Sequence, residues 1–312
     1  MRGLLVVNPK ATTTSSRVVD VLVHALSDEI DLEVTVTTHQ GHATLLGERA
    51  REQQLDIVVT LGGDGVINEV VNGMLVDGPG PQVPLLATVP GGSANVFARS
   101  LGLPKDSVEA TGELLDLLRT GASRRVGLAT ANDRWFLANA GLGIDAEVIA
   151  AMESHREAGH AATPVRYLAT TLNAFFRGTD RRHPPLTITR ALPDGTMSTV
   201  EGLFLAFVQN TTPWTFLGNH PINPCPRASL ETALDMFALH RMGVPTALVA
   251  AGRLLTGSGR GHARGGIVSW HDQASFTVSS SRPVAFQIDG EGMGTSTEVA
   301  FRHHPDVISV VC

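Results

Sequence analysis

The sequence of 312 residues predicts two domains: an N-terminal α/β domain with a parallel sheet and helices on both faces, and a mainly β C-terminal domain of the sandwich type. Residues 1–127 alternate short apolar runs with segments of helical spacing, the order that forms a parallel sheet. From residue 128 to residue 304, short strand-like segments separated by turn residues predominate. A chain of this length can bury a separate core in each domain.

The first domain is predicted element by element from the period of its apolar residues. Buried or alternating runs predict the strands Leu4–Val7, Leu32–Thr37, Asp56–Leu61 and Pro84–Val89. Helical spacing predicts the helices Arg17–Leu26, Ala43–Arg51, Val66–Met74, Ala94–Leu101 and Val108–Leu118. Strand and helix therefore follow each other through the whole segment.

The second domain is predicted to consist of short strands with two helices among them. The strands are Trp135–Ala140, Leu186–Arg190, Thr199–Gln209, Leu234–Leu239, Ala263–Trp270, Ser275–Val278 and Val284–Ile288. The helices are Arg166–Arg177 and a segment near Pro245–Leu255. Turn signals such as Pro193–Asp194–Gly195 separate the strands.

Composition limits the possible partners. The net charge of -6 gives no overall basic field for nucleic acid, so any phosphate site must be local. The two cysteines, Cys225 and Cys312, do not suggest a disulfide framework or a zinc site, and they suit a reducing compartment. No run approaches the roughly 18 apolar residues of a membrane span. We therefore expect a soluble chain that can visit a membrane without crossing it.

The strongest local signal is the segment Leu61–Gly73, in which a buried strand ends, three glycines bracket an aspartate, and a helix begins. Glycines let backbone N–H groups approach a ligand closely, and a helix N-terminus favours phosphate. Asp64 could then reach a magnesium ion beside that phosphate. The alternative is a tight turn in which Asp64 caps a helix.

Two further loops strengthen the phosphate interpretation. Thr88–Arg99 also joins a strand to a helix and places Ser93 and Asn95 at the helix start. Asn8–Thr13 follows the first strand, although alone it reads as an ordinary polar turn. Loops at the carboxyl ends of parallel strands line a common crevice, which is where ligands bind in such sheets.

Together the loops resemble the diacylglycerol kinase catalytic domain of the diacylglycerol and sphingosine kinase family. That family has an NPxxG-type loop, a GGDGTxxExxNG loop and a GTxNDFAR loop in this order. The corresponding segments here are Asn8–Thr12, Gly62–Gly73 and Gly92–Arg99. Four further segments are similar to other motifs of the family: Thr37–Ala43, Asn139–Asp145, Ala228–Asp235 and Asp289–Glu291. The sequence departs from the family pattern at Val66, Val96 and Glu231, and its first loop lacks the usual glycine.

The resemblance implies a fold like that of NAD kinases and diacylglycerol kinases, with ATP in the cleft between the domains and with Mg²⁺. Residues 305–312 would supply a final strand, Asp306–Val311, that returns to the first domain. The nucleotide site implied consists of Asn8, Pro9, Lys10, Ala11, Thr12, Thr38, Gly62, Gly63, Asp64, Gly65, Val66, Asn68, Glu69, Gly92, Ser93 and Asn95.

The resemblance also implies the catalytic groups. Asp289 matches the family's acceptor for the hydroxyl proton, Glu291 could orient it or hold a water, and Asp64 would act beside the phosphates. From the residues alone, Asp289–Gly290 is as compatible with an exposed β-turn. A structural magnesium would be held by Glu231 and the carbonyls of Ala228 and Ala233, or Glu231 is simply a solvated loop carboxylate.

The function implied is that of an ATP-dependent lipid kinase that forms phosphatidic acid or an analogue in phospholipid biosynthesis. It would be cytoplasmic and peripheral at the inner face of the membrane, with a homodimer as one candidate assembly. The alternatives are a kinase of a soluble acceptor, as the GGDG loop is similar to those of NAD kinases and phosphofructokinases, and a non-catalytic nucleotide- or lipid-binding module. Trp214, Phe216 and Leu217 suit either a membrane contact or the core. The histidines do not indicate zinc.

Overall fold

The computed structural model describes residues 1–12, 14–143, 183–217, 220–240 and 266–312. Within these ranges the chain forms two compact units, Met1–Leu128 with Pro305–Cys312, and Ala129–His304. The predicted helices Arg166–Arg177 and Pro245–Leu255, the first residues of the predicted strand Ala263–Trp270, and Asp145 lie outside the described residues.

The first unit is built on a parallel sheet. Its strands are β1 (Arg2–Val7), β2 (Asp31–Val36), β3 (Ile57–Gly62) and β4 (Leu85–Pro90), in the order β2-β1-β3-β4. The last strand of the chain, β16 (Glu291–Val310), ends beside β4 in parallel, with Val310 opposite Leu86. The chain thus returns to the first unit at its C-terminus.

Helices follow the strands in the first unit. They are α1 (Ser16–Leu26), α2 (His42–Glu52), α3 (Asp64–Met74), α4 (Val96–Ser100) and α5 (Ser107–Thr120). Buried residues of α1 and α5 share one apolar cluster with alternate residues of β1, β3 and β4. The intervening strand residues, such as Leu4 and Val58, are also fully buried, so both faces of the sheet are covered.

Two glycines let α2 and α3 pack backbone against backbone. A Cβ on Gly47 would lie 2.3 Å from the Val70 carbonyl oxygen, and one on Gly73 would lie 2.0 Å from the Thr44 carbonyl oxygen. Gly73, the last residue of the glycine-rich motif, is therefore required for helix packing.

The second unit consists of antiparallel strands. They are β6 (Arg134–Phe136), β7 (Asn139–Gly143), β8 (Leu186–Ala191), β9 (Met197–Leu203), β10 (Leu205–Gln209), β11 (Thr215–Leu217), β12 (His220–Ile222), β13 (Leu234–Leu239), β14 (Ile267–Gln273) and β15 (Ser275–Ile288). β5 (Arg124–Ala131) and β16 contribute residues to both units.

β15 divides the second unit into two arms. Its first half pairs with β8, which pairs with β9, and its last residues pair with β7, which continues into β10, β13 and β14. Buried residues from both arms form one cluster, including Ile188 of β8 and Met236 of β13. This is the packing of two sheet segments over a shared core.

The structure corrects the bounds of several predicted elements. The predicted strand Trp135–Ala140 is two strands, and Thr199–Gln209 is divided into β9 and β10 close to Gly202, which has φ +73°. Ser275–Val278 and Val284–Ile288 form one strand, because β15 continues through a register irregularity where it changes partners. Helix α3 begins at Asp64, before the predicted Val66.

No helix within the described ranges has the length and apolar character needed to cross a bilayer.

Candidate functional site

The loops after β1, β3 and β4 lie at one edge of the sheet. The strand order reverses between β1 and β3, so the crevice typical of open α/β sheets falls at these loops. The Asn8 N–H donates to the Leu61 carbonyl at 3.0 Å, and the Gly91 N–H donates to the Gly62 carbonyl at 2.7 Å. The structure thus brings together the three loops that the sequence singled out.

The glycines of the second and third loops are in direct contact. A Cβ on Gly92 would lie 2.7 Å from the Gly63 Cα, and a Cβ on Gly63 would lie 3.3 Å from the Gly92 Cα. A Cβ on Gly62 would meet the buried Val66 side chain at 2.3 Å. Contact between the loops therefore requires glycine here, in addition to any phosphate contact.

Asp64 joins the two glycine loops. Its Oδ2 accepts from the Val96 N–H and its Oδ1 from the Phe97 N–H, both at 2.9 Å. Asp64 belongs to α3, yet it caps the N-terminus of α4. Its carboxylate therefore fixes the loop that follows β4.

Asn95 closes that loop. It has φ +49°, its Oδ1 accepts from the Gly92 N–H, and its Nδ2 donates to the Gly92 carbonyl, both at 2.8 Å. Ser93, between them, is exposed. The predicted nucleotide residue Asn95 thus shapes the loop, while Ser93 faces outward.

Glu69, also on α3, holds a second helix. Its Oε1 accepts from the Gly41 N–H at 2.9 Å and its Oε2 from the Ala43 N–H at 3.1 Å, at the start of α2. Glu69 is only 9% exposed. One helix thus carries two carboxylates, each of which orders the N-terminus of a neighbouring helix.

The segment that Glu69 holds includes the predicted nucleotide residue Thr38. The Thr38 N–H donates to His42 Nδ1 at 3.2 Å, and Thr38 Oγ1 lies 2.8 Å from His39 Nδ1. The His39 and His42 rings stack with their centroids 5.2 Å apart. The histidine pair therefore orders this turn.

The residues at the crevice fit a phosphate-bearing ligand. The N-cap of α3 is Gly63, which has no side chain to cap the first-turn amide groups of this helix. In the first loop, Asn8 Oδ1 accepts from the Lys10 N–H at 3.0 Å, and the Lys10 side chain is exposed beside it. A helix N-terminus next to a loop that carries an exposed lysine is a suitable arrangement for the phosphates of ATP.

Asp289 is the central polar group of the second unit. Its Oδ2 accepts from the Leu137 N–H at 2.9 Å, and its Oδ1 accepts from the Ala138 and Asn139 N–H groups at 2.9 and 3.0 Å. Asp289 is 8% exposed and has φ +46°. The exposed β-turn that the residues alone allowed is therefore wrong: the carboxylate is buried and is held by three backbone N–H groups.

Glu291 lies just beyond this turn, on β16. Its Oε2 is 3.6 Å from Arg134 Nη2, and its side chain is 25% exposed. The structure therefore pairs Glu291 with a cation.

Sequence reasoning missed the residues that support the amide groups facing Asp289. The Asn210 N–H donates to the Ala138 carbonyl at 2.8 Å, and its Nδ2 donates to the Leu137 carbonyl at 3.0 Å. Asn210 is completely buried. The signal in the sequence was the polar pair Gln209–Asn210 at the end of an apolar strand, since buried amides need hydrogen-bond partners.

The predicted structural magnesium site lies in the loop before β13. Glu231 is exposed, and its N–H donates to Ser229 Oγ at 3.2 Å, while the Ala233 N–H donates to Asp272 Oδ1 at 2.8 Å. A carboxylate with the carbonyls of Ala228 and Ala233 is an oxygen donor set of the kind Mg²⁺ prefers. Across the described ranges, no cluster of three or more His, Cys, Asp or Glu side chains could hold a metal ion.

A close contact between a histidine and a buried aspartate lies beside this loop. His271 Nδ1 lies 2.6 Å from Asp235 Oδ1, which also accepts from the Asp272 N–H at 3.0 Å. Burial raises the pKa of Asp235, and it raises the pKa of Cys225 well above its usual value. Protein contacts thus hold the start of β13.

The structure answers the question of core or membrane contact for one aromatic residue, Trp214. Trp214 is 5% exposed and packs on Phe207 with ring centroids 4.3 Å apart, so it belongs to the core. Burial lowers the pKa of both His303 and His304, and the His304 ring lies 4.9 Å from that of Trp135.

Comparisons with known proteins agree with this geometry. Residues 2–131 match the family model of the diacylglycerol kinase catalytic domain. A diacylglycerol kinase of Staphylococcus aureus strain JH9 is 39% identical over 97 residues, which are 31% of this chain and 29% of that protein. The match thus spans less than a third of the curated relative.

Solved structures share the fold. A diacylglycerol kinase from Bacillus anthracis strain Sterne has a TM-score of 0.72 at 21% identity, with 99% of this chain and 96% of that chain covered. An NAD kinase from Archaeoglobus fulgidus in complex with ATP has a TM-score of 0.51 at 12% identity, with 100% and 94% covered. The fold is therefore that of the NAD kinases and diacylglycerol kinases. The segment of residues 2–131, which contains the loop after β1 and the two glycine loops, matches the diacylglycerol kinase catalytic domain family.

Proposed function

We propose that this protein is an ATP-dependent lipid kinase that transfers the γ-phosphate to a hydroxyl of diacylglycerol or a related lipid, forming phosphatidic acid or an analogue. The observation that carries the proposal is the N-terminus of α3, which has no side-chain cap and lies at the two glycine loops. Asp64 joins these loops through the amides of Val96 and Phe97. The segment matches the model of the diacylglycerol kinase catalytic domain family. A helix N-terminus beside backbone amides binds phosphate without depending on side chains. The substitutions at Val66 and Val96 are therefore compatible with nucleotide binding.

The first unit supplies the nucleotide-binding groups in this proposal. The amides of Gly63–Val66 and of Ser93–Asn95 bind the phosphates, with Lys10 as a counter-charge and Thr38 as a nucleotide contact. Mg²⁺, when bound with ATP, would neutralise charge on the phosphates. We assign Glu231 to a structural metal site, whereas both oxygens of Asp64 accept N–H groups of α4. Asp64 and Glu69 keep the loops in place.

The second unit supplies the acceptor side. The acceptor oxygen forms a bond to the γ-phosphorus, the bond from that phosphorus to the β,γ-bridging oxygen breaks, and ADP leaves. The hydroxyl proton passes to the carboxylate of Asp289, which three backbone amides hold in one orientation. Glu291, paired with Arg134, orients groups beside it.

A lipid acceptor lies in a bilayer. We therefore place the enzyme in the cytoplasm, acting peripherally at the inner membrane face, and a homodimer is the assembly we would test first.

The function is tested by transfer of labelled γ-phosphate from ATP. A panel of diacylglycerol, monoacylglycerol, ceramide and sphingosine in mixed micelles should give a labelled lipid, and EDTA should abolish the transfer. Labelled NADP from NAD would instead support a kinase of a soluble acceptor. ATP binding without transfer to any acceptor would indicate a binding module.

Asp289→Asn tests the acceptor side. An asparagine must turn its NH2 toward an amide N–H that now donates to the carboxylate, so a stability loss of about 1–3 kcal/mol is expected. If Asp289 takes the proton, kcat falls on the order of a hundredfold or more while ATP affinity changes little. Calorimetric ATP binding and kcat should be measured on the same folded preparation; near-normal kcat would mean that Asp289 only anchors the turn.

A further inference from the structure

Asn139, at the start of β7, fixes the backbone of Asp289. Its N–H donates to Asp289 Oδ1 at 3.0 Å, and its carbonyl accepts from the Asp289 N–H at 2.8 Å. Asn139 is 6% exposed. These bonds use only backbone atoms of Asn139, so they do not explain why an amide side chain is buried here.

The side chain of Asn139 reaches a different element. Its Nδ2 donates to the Trp214 carbonyl at 3.0 Å, and its Oδ1 accepts from Gln287 Nε2 at 3.3 Å. Gln287 Oε1 accepts in turn from the Gly290 N–H at 2.9 Å, within the turn that carries Asp289. The two ends of one amide thus join Trp214 to the Asp289 turn.

Trp214 is the root of the β11–β12 hairpin. Its N–H donates to the Ile222 carbonyl at 2.9 Å, and its ring is buried on Phe207. The hairpin that follows Trp214 contains the paired residues Phe216 and Pro221, and Pro221 is exposed. An apolar hairpin tied to a buried carboxylate is suited to an acceptor with an apolar chain and one reacting hydroxyl.

We propose that Asn139 is a positioning residue that keeps the β11–β12 hairpin in register with the Asp289 carboxylate, so that the chain and the hydroxyl of a lipid alcohol are bound in one geometry. This inference rests on the proposed lipid kinase function. The Asn139 amide donates to the Trp214 carbonyl through one atom and accepts from Gln287 through another, so a single side chain bridges the two groups.

The variant Asn139→Ala tests the coupling, because it removes both side-chain bonds and leaves the backbone bonds to Asp289. The KM for diacylglycerol in micelles should rise, and kcat should fall, each on the order of tenfold. The KM for ATP should not change. Hydrogen exchange followed by mass spectrometry should show faster exchange of the amides of β11 and β12, with β4 unaffected.

Asn132→Gly is the matched control. Asn132 Oδ1 accepts from the Ala300 N–H at 2.9 Å, and its φ of +53° suits glycine. This variant also loses a side-chain hydrogen bond of an asparagine in the second unit, yet it should retain the acceptor KM and the exchange of the hairpin amides. Asn139→Ser, which introduces a hydroxyl in place of the amide, provides a milder second variant should Asn139→Ala fail to fold.

The outcomes separate the two claims. A folded Asn139→Ala or Asn139→Ser protein with wild-type hairpin exchange and wild-type acceptor KM would overturn the positioning role. If the wild-type protein phosphorylates no lipid but Asn139→Ala still exchanges the hairpin amides faster, the coupling is supported and the lipid kinase function is contradicted.

Discussion

Asp64 and Glu69 act through backbone amides of helices other than their own. Each carboxylate oxygen accepts one N–H at the start of α4 or α2. The glycine-rich pattern indicated Asp64 as part of the nucleotide site, and the family resemblance implied Glu69. The sequence could not show which helix each would cap, because the partners are distant in the chain and are backbone groups without a sequence signal.

Asp64→Asn, compared with a control, should distinguish loss of the α4 cap from loss of the negative charge. Because Asp64 uses each oxygen for a different amide, an asparagine loses one bond and places its NH2 against an N–H. We expect a stability loss of about 1 kcal/mol and loss of most phosphoryl transfer, with weaker ATP binding. Chemical denaturation, calorimetry with ATP and the transfer rate provide the measurements.

Asp106→Asn is the control for that experiment. Asp106 caps α5, but a single oxygen, Oδ1, accepts from both Val108 and Glu109. An asparagine retains that oxygen, so stability and ATP binding should stay near wild type. Equal effects of the two variants would show that the lost charge, and not the cap of α4, matters.

At the scale of elements, the two glycine loops work as a contact pair. The sequence predicted glycine for the approach of phosphate, whereas the structure shows that Gly63 and Gly92 also approach each other. Such a contact between loops after β3 and β4 follows from the parallel pairing of these strands. Their neighbourhood was predictable from the βαβ order, but the distance between the loops was not.

Gly92→Ala should therefore weaken ATP binding by moving the loops apart. Its Cβ would lie 2.7 Å from the Gly63 Cα and 2.9 Å from Asn95 Oδ1, so a stability loss of roughly 1–3 kcal/mol is expected as well. Gly112→Ala is the control, since nothing lies within 4 Å of its Cβ position in α5 and it should be neutral or stabilising. Calorimetry that gives unchanged ATP affinity for a folded Gly92→Ala protein would contradict the role of this contact.

The accuracy of the predicted elements differs between the units for a physical reason. In the first unit, apolar period and glycine punctuation marked every helix from α1 to α5, with only the ends displaced. In the second unit, the chain turns at Gly202 within one predicted strand, and β15 changes from pairing with β8 to pairing with β7. The spacing of apolar residues in the sequence does not mark either position. Strand boundaries there depend on pairing with distant residues.

At the scale of the whole molecule, each unit contributes one part of the proposed reaction. The first unit holds the loops to which we assign phosphate binding, and the second holds Asp289, buried among backbone amides. The motif order predicted both parts, and the second became specific only through the resemblance, since Asp-Gly pairs are ordinary turn residues. The hydrogen bonds of Asn139 and Asn210 were not predictable, because their partners are distant in the chain.

The most direct measurement of the central claim is the initial rate of γ-phosphate transfer to diacylglycerol in mixed micelles, compared with NAD as acceptor in the same preparation. The account predicts Mg²⁺-dependent formation of labelled phosphatidic acid or the corresponding phosphate of a related lipid, and no labelled NADP. Transfer to NAD, or ATP binding with no labelled lipid from any member of the panel, would contradict it.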